Sequence, residues 1–181
     1  DLRAGILKLI GRNIIAFGGL EARLRALVEI TNVAGTFDPK NPSNLVRRRE
    51  LRGSESLGTL TDLLFRNLFG DVERKPLHPT SPAAGTLALR YRIEMSKDER
   101  KDWRRSAHKL VRERNQLVHN RLEEIYSCNL ERLEAIEAQL DAQHSEVIRH
   151  LTEFNGLLKQ VKETYRDLAE AVSHAEFPLN K

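Results

Sequence analysis

The sequence predicts an all-α protein: an antiparallel helical bundle with a minor β-hairpin and a long C-terminal helix patterned in heptads. Three observations carry that expectation. Apolar side chains recur at three- and four-residue spacing over most of the chain. Charged residues reach 31% while aromatic residues are only 6%, a balance that suits helices with solvated outer faces better than a sandwich or barrel. A seam running from Leu133 to Val172 alternates four and three without losing phase. With 181 residues there is material for one domain with a real core and not for two, so 1–181 reads as a single domain with 129–175 extending it.

Ile6, Ile10, Phe17, Leu20, Leu24 and Leu27 share one helical face, with Asn13 at the missing step, which predicts a helix over 5–30. Gly18 and Gly19 inside it cost up to ~1 kcal/mol each against Ala, which points to close approach of a neighbouring backbone more than to a kink. Residues 32–55 place Gly35, Pro39, Pro42 and Gly53 around the basic run Arg47-Arg48-Arg49, and read as a solvated loop with at most a short helical turn. Ser56 can cap a short second helix carrying Leu57, Leu60, Leu64 and Leu68, with Gly70 placed to end it. Pro76, Pro79, Pro82 and Gly85 break the chain. Leu87, Leu89, Tyr91 and Ile93 then alternate with Ala88, Arg90, Arg92 and Glu94, the period of one strand in a small hairpin.

Ser96 followed by Glu99 is a capping box, so a third helix starts there. Trp103, Ala107, Leu110, Val111, Leu117, Val118, Leu122 and Ile125 carry its pattern to about Tyr126. The C-terminal seam comprises Leu133, Glu137, Leu140, His144, Val147, Leu151, Phe154, Leu158, Val161, Tyr165, Leu168 and Val172. A single helix over 129–175 would span roughly 70 Å at ~1.5 Å per residue. Asn155-Gly156 could divide it into two antiparallel helices, but the phase continues through Phe154, Leu158 and Val161, which favours one continuous or merely bent helix.

Charge and cysteine content narrow the function. The net charge of +4 conceals a split: residues 1–128 carry 24 Lys+Arg against 16 Asp+Glu, and residues 129–181 carry 6 against 10. A basic body can neutralise a polyanion, although arginine-rich faces also serve only to solubilise. Cys128 is the single cysteine, which excludes an internal disulfide and a cysteine-based zinc site and fits a reducing cytoplasm. There is no apolar run long enough to span a membrane. The start, Asp1-Leu2-Arg3, lacks an initiator Met and a signal-peptide run, as a soluble chain or a fragment of one would. No H-E-x-x-H, paired cysteines, nucleotide-binding glycine loop or Gly-x-Ser-x-Gly is present, so no metal or cofactor is expected.

The chemistry concentrates in Arg112-Glu113-Arg114-Asn115-Gln116-Leu117-Val118-His119. Asn115 and His119 lie one turn apart on one helical face, and Arg114 can swing across to meet them. Arg114 also lies three and four residues from Leu110, Val111, Leu117 and Val118, where a cation needs an anionic partner or a wet cavity. Such a trio suits RNA phosphodiester cleavage, in which His119 takes the proton of the ribose 2′-hydroxyl, Arg114 stabilises the phosphorane and Asn115 orients one of them. Without a metal the leaving oxygen needs an acid, which a second His from a symmetry-related subunit would supply, making dimerisation part of the mechanism. The bland alternatives are a salt-bridged Arg114 and a surface His119. His144 reads as a seam residue, and His78, His108, His150 and His174 as surface residues.

The run Arg114-Asn115-Gln116-Leu117-Val118-His119, late on a helix, resembles the R-N-x-L-V-H form of the HEPN signature, securely over residues 97–126 and loosely over the whole helical arrangement. The resemblance implies a homodimer with two Arg/His motifs facing a shared cleft, and commonly endoribonuclease activity in toxin–antitoxin or antiphage systems. It assigns the phosphate to Arg114, acid/base chemistry to His119 and polar positioning to Asn115. Arg121 departs from it, since many HEPN toxins carry Tyr two residues after the His. Asn13, Glu21 and Arg121 remain open as further members of the cleft. The C-terminal seam could dock an antitoxin or other protein partner. The competing expectation is a catalytically silent helical module whose seam is its function.

Overall fold

The computed structural model describes residues 1–38, 41–47, 51, 53–69 and 85–174. Gly70, Pro39, Pro76, Pro79, Pro82, His78 and Arg48-Arg49 lie outside the described residues. The elements are α1 (Leu2–Thr31), β1 (Asn32–Asp38), β2 (Asn41–Arg47), α2 (Leu57–Phe69), β3 (Gly85–Arg90), α3 (Lys97–His119), α4 (Arg121–Ser127) and α5 (Leu130–His174). The protein is mostly helical, with one small antiparallel sheet.

That sheet corrects the reading of 32–55 as loop. β1 pairs antiparallel with both β2 and β3, in the order β2-β1-β3, and the β1–β3 register joins Asn32 to Arg90 and Phe37 to Gly85. Pro42 is tolerated because β2 is an edge strand, where a missing N–H costs no ladder bond. β3 ends at Arg90, so Tyr91 and Ile93 leave the sheet. Their amides bond the carbonyls of Thr31 (2.9 Å) and Leu68 (3.3 Å), and both side chains pack on the core.

α1 and α5 run parallel over a long interface, since their partners climb together in number. The Asn13 amide donates to the Leu140 carbonyl at 2.8 Å and to Gln143 at 2.9 Å, Arg23 reaches Asn155 at 3.3 Å, and the Tyr165 hydroxyl donates to the Ile30 carbonyl at 2.7 Å. α3 and α4 return antiparallel along α5: Ser106 meets His150, and Arg121 donates to Gln139 at 2.8 Å. α2 is antiparallel to α3, as Arg104 meets Asp62 and Arg100 meets the Phe69 carbonyl. Aromatic rings join three of these helices, with Phe65 5.0 Å and Phe154 6.0 Å from Trp103.

α5 is one helix of 45 residues passing through Asn155-Gly156 without a break. Its buried ridge is Leu133, Ile136, Leu140, Val147, His150, Phe154, Leu157 and Val161. The positions seven apart from Leu133 to Val161 match the expected seam. The intervening ones do not: Ile136, His150 and Leu157 are buried, whereas Glu137, His144, Leu151 and Leu158 flank the ridge half-buried. α5 is gripped from two sides, by α1 and by α3–α4, and this rotates its burial toward the earlier residue of each pair. The seam is consumed inside the chain, so a partner on this stretch of α5 would have to use its outer face.

The glycine expectation is not met. Space for a side chain is open at Gly18, and Gly19 faces Leu151 at 3.8 Å, an ordinary contact. Neither position requires the close backbone approach that the pair suggested.

Candidate active site

Ser96 caps α3 through the predicted box, its hydroxyl accepting from the Glu99 amide at 3.2 Å and the Glu99 carboxylate accepting from the Ser96 amide at 3.0 Å. That hydrogen bonding holds the Glu99 carboxyl below the usual carboxylate range. From there the inward ridge of α3 reads Trp103, Ala107, Leu110, Arg114 and Leu117, and its next step, past Asn120 and in the following helix, is Arg121. Two arginines therefore stand where apolar residues would be expected.

Their surroundings differ. Arg121 is neutralised, donating to Glu124 at 2.6 Å and to Gln139 at 2.8 Å. Glu124 is shared with Arg132, whose Nε donates to it at 2.8 Å. Arg121 is thus a clamp between α4 and α5. Arg114 is half-buried and has no carboxylate partner among the described residues. Its one hydrogen bond runs from Nη1 to Asn115 Oδ1 at 3.3 Å. The neighbouring Glu113 instead faces Lys109 at 3.6 Å, and its other carboxylate oxygen is buried without a hydrogen bond. The salt-bridged alternative for Arg114 is not realised.

His119 is the last residue of α3, exposed and without a side-chain hydrogen bond among the described residues. No hydrogen bond or ion pair among the described residues joins it to Arg114 or Asn115, and the four-residue spacing puts it one turn beyond Asn115 on the same face. α3 ends there with Asn120 as its cap, at φ −119° and ψ −25°, its N–H still bonding the Gln116 carbonyl. The expected continuous helix to Tyr126 is thus two helices joined at Asn120. Asn13 and Glu21 find partners elsewhere, Asn13 in the α1–α5 interface and Glu21 with Arg25 at 3.6 Å.

A second polar cluster was not legible in the sequence. His150, expected at the surface, is fully buried where α3 crosses α5. Its Nε2 lies 2.9 Å from the Ser106 hydroxyl and 2.9 Å from Arg149 Nη2. Arginine can only donate, so Nε2 is the accepting nitrogen and Nδ1 carries the proton. Glu153 lies 3.1 Å from Nδ1 but out of line for a hydrogen bond. Burial pushes the His150 pKa below its ordinary value, and Arg149 adds to that. Arg149 also binds Glu146 at 2.7 Å and holds its carboxyl at about 2. The cluster braces α3 on α5. Only the serine at an otherwise apolar α3 position hinted at it.

Among the described residues no helix is long and apolar enough to cross a membrane, and no group of three or more His, Cys, Asp or Glu side chains could hold a metal ion. No family model, no curated protein and no solved structure matches the chain.

Proposed function

We propose that this protein is a metal-independent endoribonuclease of HEPN type, working as a homodimer with Arg114, Asn115 and His119 at its site. The observation that carries the reading is Arg114, a half-buried cation at an inward helix position that is fixed by Asn115 and not neutralised by any described carboxylate. Such a cation is costly unless an anion completes it, and a phosphate diester is an anion of the right size. His119, one turn on, is free to handle the proton.

The reaction balances with two imidazoles. One His119 takes the 2′-hydroxyl proton, the 2′-oxygen attacks phosphorus, the bond to the 5′-oxygen breaks, and the second His119 returns a proton to that oxygen. The products are a 2′,3′-cyclic phosphate and a 5′-hydroxyl. The second imidazole would arrive across Val118, Leu122 and Tyr126, which are 41%, 49% and 69% exposed beside the motif. Large apolar side chains grouped in this way mark a contact surface. The single cysteine agrees with a cytoplasmic setting.

The test is incubation of purified protein with mixed tRNA and mRNA in EDTA, comparing wild type with His119→Ala and assaying cyclic phosphate ends. Loss of cleavage by roughly 10²–10⁴-fold in the variant is expected. The same apolar stripe favours a second reading, a silent module that docks a protein partner there. Absence of cleavage by wild type, together with a stable complex lost on Leu122→Asp, would establish that reading instead.

A further inference from the structure

A cavity of about 190 Å³ opens between α2 and α3, lined by Asp62, Phe65, Arg66, Phe69, Arg100 and Arg104. Three arginines face one carboxylate, and the floor is aromatic. The Arg100 guanidinium lies over the Phe69 ring, 5.7 Å from its centroid, and donates to the Phe69 carbonyl at 3.0 Å, with no carboxylate partner among the described residues. Arg104 reaches Asp62 at 3.3 Å through an exposed ion pair, a kind that opens at little cost. The volume is well below that of a typical drug-sized pocket but ample for one planar ring or one phosphate.

The position of the cavity matters as much as its lining. At 100° per residue, Arg100, Arg104, His108, Asn115 and His119 fall on one face of α3. Arg104 and Asn115 are 11 residues apart, roughly 16 Å along the helix. α2 flanks this face as far as Val111, which lies against Gly58 at the start of α2, and Asn115 and His119 emerge beyond that point. A chain of phosphates leaving the cavity along α3 would run onto the motif.

We infer that the α2–α3 cavity is a subsite for one nucleotide of single-stranded RNA, its phosphate held by Arg100 and Arg104 and its base stacked on the Arg100–Phe69 platform. Guanidinium planes and aromatic rings are the usual stacking surfaces for unpaired bases, and nearby cations track the backbone. Duplex RNA, whose bases are not free to stack, does not fit. This deepens the ribonuclease reading, and its test is arranged to fail separately from it.

The experiment measures binding of a short labelled single-stranded RNA to the full chain carrying His119→Ala, across a salt series. Adding Arg100→Ala and Arg104→Ala should weaken binding about tenfold or more and reduce the slope of log K against log salt by about 1.4, the share of two phosphate contacts on a single strand. Lys159→Ala with Lys162→Ala on α5 removes the same charge and should change affinity much less. Asp62→Asn frees Arg104 and should tighten binding several-fold, a gain that a damaged fold could not produce. Equal losses in the α3 and α5 double variants, equal affinity for duplex RNA, or no tightening in Asp62→Asn would overturn the subsite. Cleavage by wild type with unchanged binding in the arginine variant would remove the subsite and leave the ribonuclease. Arginine-dependent binding without cleavage would do the reverse.

Discussion

Eight lysines and arginines stand against four acids on α3, and five against nine on α5. The difference in use is larger than the difference in sign. Four of the five cations on α5 are paired: Arg132 with Glu124, Arg149 with Glu146 and Glu153, Lys159 with Glu163, and Arg166 with Asp167. On α3, Lys97, Arg100, Lys101, Arg112 and Arg114 have no carboxylate partner among the described residues. Charge on α5 is mostly neutralised within the helix, with Arg132–Glu124 alone crossing to α4, while much of the charge on α3 is left without a described carboxylate. Two helices of one bundle can therefore differ in use, α5 supplying a long buried ridge and α3 carrying cations with no described carboxylate.

Substitution should separate the two helices most sharply in stability. Phe154→Ala on α5 removes a buried ring that packs on Trp103 and His150, and should cost about 3–5 kcal/mol in urea denaturation. Arg114→Ala on α3 should stay within about 0.5 kcal/mol while abolishing RNA cleavage. A large stability loss at Arg114 would make it a structural cation and erase the contrast. Asn13→Leu, which removes the buried hydrogen bonds to the Leu140 carbonyl and Gln143 in the α1–α5 interface, should cost about 1–3 kcal/mol by the same assay.

The His150 cluster offers a finer test, because it is where α3 and α5 touch through polar groups. The folded pKa of His150 is depressed below its ordinary value of 6.5, so between the two values the unfolded chain binds the extra proton. Stability from this group is present above pH 6.5 and is lost as pH falls toward the folded pKa, by at most about 1.4 kcal/mol per pH unit. Melting temperature should therefore drop on acidification below pH 6.5 in wild type and show a shallower slope in His150→Gln, where His144, also held below its ordinary value by burial, remains. Glu146 acts lower, its contribution disappearing as pH falls from 4.5 toward about 2. The smallest expected effects are gains: Gly18→Ala on α1 and Gly156→Ala on α5, both facing open space, should each add about 0.5–1 kcal/mol in thermal melts.

Legibility in the sequence followed the range of the interaction. Ser96 and Glu99 are three residues apart, and their box formed as read. The continuity of α5 was carried by Phe154, Leu158 and Val161 keeping phase. β1 and β2 were missed because β1 is stabilised by pairing with β3 residues 48 to 58 positions away, and no local pattern records that. His144 was read into the seam and His150 onto the surface, yet His150 lies in the buried ridge and His144 flanks it half-buried, because the second flanking helix decides which one turns inward.

By itself the sequence determined the helical class, most helix starts, the long α5 and the placing of Arg114, Asn115 and His119 on one helix, because each of these depends on residues within one or two turns of each other. Tertiary structure alone decided that Arg121 is neutralised and Arg114 is not, that α1 runs parallel to α5, and that Arg100 and Arg104 meet Phe65 and Phe69 in a cavity. The energy of a charge is set by which distant groups and how much water surround it, and that is known only once the helices are packed.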